Sequence, residues 1–94
     1  MIEVLVIHKP KRDQIPLEGT LECSIGNGDL TILGETQTLN RIRDYIESNP
    51  QVTKEVHMRE STREDLVGAF ELHQERFKTR GKMVAYLLEH YNKH

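Results

Sequence analysis

Arg76, Lys78, Arg80 and Lys82 place four cations in seven residues that hold no carboxylate, in a chain whose formal net charge is −2. Beside a helix start, such cations could hold a phosphate together with the Thr79 hydroxyl and the free N–H groups of the first turn. At a helix end they would only complement the dipole, worth about 0.3–1 kcal/mol each. Phe77 is the one aromatic interleaved among them, which gives nucleic-acid bases little to stack on. His8, Lys9, Lys11 and Arg12 extend this basic surface if the first loop lies near residue 80. Anion or nucleic-acid binding through residues 76–82 is therefore one functional expectation.

Other chemistries are thinly supplied. His90 and His94 stand one helical turn apart, with Glu89 nearby, but zinc normally takes three or four protein ligands, so no metal is expected. Cys23 falls where a strand would bury it, which opposes a reactive thiolate. Ser61 is explained as a helix cap, and Ser24 and Ser48 lack the setting of a nucleophile. Gly26-Asn27-Gly28 joins two strands and opens no helix, so it is a turn rather than a phosphate loop. Glu64-Asp65 belongs to the first turn of a helix, where the dipole favours carboxylates. The expectation is a protein that is not an enzyme and needs no cofactor.

These side chains need a scaffold. The 94 residues, 36% hydrophobic and 30% charged, suit one domain over 1–94 with a lean core. Ile2, Val4 and Val6 alternate with Leu5 and Ile7, so this strand is apolar on both faces and belongs inside a sheet. Pro10 and Pro16 bracket a polar loop. Asn27-Gly28 predicts a type I′ hairpin over about 20–33, pairing Ile25 with Leu30, Cys23 with Ile32 and Ser24 with Thr31, every apolar residue on one face. Leu39, Ile42 and Ile46 recur at helical spacing, and Asn49-Pro50 stops that helix. Val52, Val56 and Met58 predict a fourth strand over 51–58, near an edge, with Lys54 as its misfit.

Ser61-Thr62-Arg63-Glu64 reads as a capping box opening a helix. Leu66, Phe70, His73 and Phe77 follow as one seam. Gly81 then either ends that helix, giving a helical hairpin, or sits inside a single helix over 62–93, ~48 Å long at about 1.5 Å per residue, which would need a second chain. The predicted fold class is α+β: a four-stranded mixed or antiparallel sheet with helices on one face and 62–94 as its C-terminal helical segment. In their order of strand, helix, strand and acidic helix opening at Glu64-Asp65, residues 29–70 resemble the accessory domain that follows some ABC-transporter ATPases. No Walker motif accompanies that order, and it assigns no family.

Phe70, Phe77, Val84, Leu87 and Tyr91 offer an apolar ridge on that segment, and aromatics favour interface centres. The leading expectation is a small regulatory or interaction protein that contacts a partner protein, or a second copy of itself, through this ridge. No apolar run approaches the roughly 20 residues of a membrane span. Met1-Ile2-Glu3-Val4 reads as strand rather than leader. A single cysteine suits a reducing compartment, so a cytoplasmic location is expected.

Overall fold

The computed structural model describes residues 1–92, with side chains up to Glu89. Four strands, β1 (Ile2–Ile7), β2 (Leu21–Ser24), β3 (Leu30–Glu35) and β4 (Val56–Glu60), form one sheet in the order β2-β3-β1-β4. Every pairing is antiparallel. Three helices complete the α+β fold: α1 (Thr36–Ser48), α2 (Arg63–Leu72) and α3 (Arg80–Asn92).

Both faces of the sheet are covered, where the sequence pattern predicts all helices on one. Leu5 and Ile7 of β1 meet Ile32 and Leu30 of β3, and α1 closes over them with Leu39, Ile42 and Ile46. Val4 and Leu33 point the other way, with Leu21 and Cys23 of β2, and are closed by Ala69, Phe77, Met83 and Leu87. Burying side chains such as Leu5, Leu33 and Leu87 in full stabilises the fold by about 1.5–3 kcal/mol each. The two-faced apolar pattern of β1 has its physical cause in these two layers.

The hairpin turn is where Asn27-Gly28 places it. Both residues have positive φ, 49° and 80°, and the Asp29 N–H donates to the Gly26 carbonyl at 3.2 Å. Its register differs from the expected one. Ser24 does pair with Thr31, but Glu22 opposes Ile32 and Leu21 opposes Leu33, with an irregularity at Cys23. That bulge turns Cys23 onto the α2/α3 face, away from Ile32, and leaves Ile25 exposed.

Strand β4 is an edge strand, as expected, but it begins only at Val56. Residues 50–55 form a strap instead, because their carbonyls bond the loop after β1: the His8 N–H donates to Glu55 and the Lys11 N–H to Val52, both at 2.9 Å. Lys54 therefore lies outside the strand. The capping box also shifts by one residue. Thr62 and Asp65 form it, while the Ser61 hydroxyl donates to the Ile2 carbonyl at 2.9 Å. Asp65 is preferred because its carboxylate also receives the Arg59 guanidinium in a bidentate pair at 2.7 and 2.9 Å.

The helical hairpin forms and the single long helix does not. Its break lies at His73–Thr79 rather than at Gly81. The His73 ring Nε2 bonds the Glu22 carbonyl of β2 at 3.0 Å, and the Arg76 and Phe77 N–H groups both donate to the His73 carbonyl. Thr79 then opens α3, its hydroxyl accepting from the Lys82 N–H at 3.2 Å, and Gly81 lies in the first turn. The radius of gyration of 12.6 Å fits a self-contained body of this chain length.

Candidate anion-binding pocket

The bonds that tie the strap to the loop after β1 also build a cavity of about 460 Å³ between them. Lys9 and Lys11 enter from the loop and Lys54 from the strap; Gln51 and Thr53 add polar groups, Pro50 supplies carbon, and His8 and Val52 complete the lining. No carboxylate is among its lining residues. None of the three lysines takes part in an ion pair among the described residues.

Each wall is held from within the fold. Val52 is 1% exposed and packs into the α1 core, which fixes the strap from below. The Thr53 hydroxyl donates to the His8 carbonyl. Asp29 secures the loop from the other side, its Oδ1 accepting from the Lys9 N–H at 3.2 Å and meeting His8 Nδ1 at 2.9 Å. Lys9 adopts φ 43°, a left-handed conformation that costs a non-glycine residue about 1–2 kcal/mol. Helix α1 ends beside the cavity, where its carbonyls would repel an anion. Asn49 blunts that end: its N–H donates to Ile46 and its side-chain amide to Tyr45. A half-charge at most is set against three full ones.

The C-terminal candidates lie elsewhere. Leu87 is 0% and Phe77 8% exposed, both packed on the chain's own sheet, and Phe70 rests partly buried against the same cluster. Val84 is half-buried. Tyr91 belongs to the last described turn, its side chain outside the described ones, as are His90 and His94. Arg76 is turned onto the chain's own aromatics, with its guanidinium carbon 5.1 Å from the Phe77 ring centre and 4.3 Å from that of Tyr86. Lys78, Arg80 and Lys82 are exposed. None of the four lines the cavity, so the basic loop 8–12 finds its cationic partner in Lys54 rather than in residues 76–82.

A second hollow, about 390 Å³, lies on α2 beside Arg63, Glu64, Val67, Gly68 and Glu71, where two acids and one base offer no converging charge. Burial pushes the Cys23 thiol up to about 11, and its Sγ–H donates to the Thr31 carbonyl at 3.5 Å, so it is a core residue without nucleophilic character. Among the described residues no three His, Cys, Asp or Glu side chains are grouped to hold a metal, and no helix is long and apolar enough to cross a membrane.

Comparison with known proteins gives no counterpart: no family model, no curated protein and no solved structure matches this chain.

The lysine pocket is half-legible in the sequence. Lys9 and Lys11 stand out beside Arg12, but Arg12 turns away to pair with Glu22 at 3.1 Å. Lys54 is the residue that breaks the apolar pattern of the predicted strand, and that misfit is the available signal.

Proposed function

We propose that the protein is a small, non-catalytic binding module that takes an anionic ligand between the loop 8–11 and the strap 50–54. The observation that carries this reading is a cavity bordered by Lys9, Lys11 and Lys54, with no carboxylate among its lining residues, in a chain of net charge −2. At roughly 4 Å an ion contact is worth about 1 kcal/mol in a water-like dielectric and about 4 kcal/mol at the effective dielectric near a protein surface. Because all three lysines are exposed, three such contacts suit a weak complex that is sensitive to salt. A binding role without chemistry agrees with the buried Cys23 thiol, and that unpaired cysteine suits a cytoplasmic setting.

The test is a titration with tripolyphosphate followed by amide resonances. Shifts should cluster at residues 8–11 and 51–54, shrink as sodium chloride is raised because exposed charges are screened over about 8 Å at physiological ionic strength, and vanish in a variant with Lys9, Lys11 and Lys54 all changed to Gln. Shifts that survive the triple substitution, or none at these residues, would overturn the reading.

Contact with a partner protein or a second copy through the C-terminal segment is the second reading. Leu88, beside the buried Leu87, is 39% exposed and gives it an accessible apolar contact. A mass in solution above 11.0 kDa would support self-association.

A further inference from the structure

The size and walls of the lysine pocket narrow the class of anion it would take, a deduction that rests on the anion-binding reading of the same site. A bare phosphate displaces the volume of three or four waters, about 100 Å³ at about 30 Å³ per water. The cavity holds about 460 Å³, within the range of about 300–1,000 Å³ that small organic ligands occupy. Much of the surplus space is bounded by carbon: the exposed Pro50 ring and the methylene stems of Lys9, Lys11 and Lys54. A lysine side chain carries its charge at the end of an apolar stem. The lining thus offers both charge and carbon.

We infer that the pocket takes a phosphate monoester of a small organic molecule, its phosphate among the lysine ammonium groups and its carbon body against Pro50 and the lysine stems. An oligonucleotide is the less suitable occupant. The lining residues include no Phe, Tyr or Trp on which successive bases could stack, and a cavity of about 460 Å³ has room for one short group rather than a run of nucleotides. Lysine, which acts as a compact point charge, suits a terminal phosphate that can rotate to meet three separate donors.

The experiment compares inorganic phosphate, phenyl phosphate and a twelve-residue oligothymidylate on the intact chain by amide shifts and calorimetry, at one ionic strength. Phenyl phosphate should bind about tenfold or more tightly than inorganic phosphate, the gain that about 60 Å² of carbon removed from water supplies. Pro50→Ser, an exposed substitution, should cut that preference at least about threefold and leave inorganic phosphate unchanged. Its folding is checked by the unchanged resonances of β1 and β3. If the two phosphates bind equally at residues 8–11 and 51–54, the anion site stands and the organic body is refuted. If neither binds there, both readings fall. Tighter binding of the oligonucleotide than of phenyl phosphate would overturn the small-molecule assignment in favour of nucleic acid.

Discussion

Gly68 sits where α2 crosses β2, and a single methyl added there tests how closely the two elements meet. A Cβ at this position would lie 2.5 Å from the Cys23 backbone carbonyl oxygen. An ordinary carbon–oxygen contact needs about 3.3 Å, so the helix and strand would have to separate by the better part of an ångström. The obstacle is backbone, and no side-chain rotation relieves it. Overpacking of this kind costs about 1–3 kcal/mol, partly offset by up to about 1 kcal/mol of helix propensity when glycine becomes alanine. Gly68→Ala should therefore destabilise by about 1–2 kcal/mol, which for a domain of this length lowers the melting temperature by about 4–15 °C. Gly81→Ala is the control, since its nearest neighbour, the Thr79 hydroxyl, is 3.9 Å away. There the propensity gain is unopposed and stability should rise by up to about 1 kcal/mol. Urea denaturation of both variants reads the two signs directly. A Gly68→Ala protein at least as stable as the parent would show that α2 does not approach β2 as described.

The docking of α3 makes a matching pair of expectations: Leu87→Ala, at a fully buried site, should cost about 2–5 kcal/mol, whereas Leu88→Ala, one residue on, should cost less than about 1 kcal/mol. Equal losses in denaturant melts would refute the orientation of α3. Acid stability should carry the mark of Arg59, whose bidentate hydrogen bonds, supported by those from Thr62, lower the Asp65 carboxyl from 3.8 to about 2. Because the folded-state value is depressed, the stabilisation is complete above about pH 4 and is lost as pH falls toward 2. With Arg59 40% exposed its size is on the order of 1 kcal/mol. Arg59→Met should flatten that part of the stability–pH curve, and an unchanged acid profile would refute the assignment.

Local signals are legible in this sequence and longer-range ones are not. The Asn27-Gly28 turn, the α1 stripe of Leu39, Ile42 and Ile46, the stop at Asn49 and the interior position of β1 all depend on residues near in the chain, and the structure contains each of them. The apolar alternation of β2 is kept, Leu21 and Cys23 sharing a face, but an irregularity between Glu22 and Ser24 shifts its pairing with β3 by one residue, and nothing in the composition of that strand announces it. Ser61 and Thr62 are equally able caps; Arg59 makes the choice by drawing Asp65 into place from a neighbouring strand. Gly81 attracts the helix break on propensity, yet the chain turns where His73 finds a β2 carbonyl, a contact 51 residues away in sequence. The pocket obeys the same rule. Its lysines come from segments more than forty residues apart, joined by backbone bonds that only the folded chain defines.

The contact between His73 and the Glu22 carbonyl also bears on how this protein behaves in a crowded solution. Strand β2 forms one border of the sheet, and a border strand with idle carbonyls invites foreign chains to zip onto it. The imidazole occupies one of those acceptors from inside the molecule, in a strand only four residues long. At the opposite border, β4 carries His57, Arg59 and Glu60, whose polarity discourages the same kind of growth. His73→Ala should leave the Glu22 carbonyl without its partner, and light scattering that shows no faster loss of monomer than in the parent would refute a protective part for the ring.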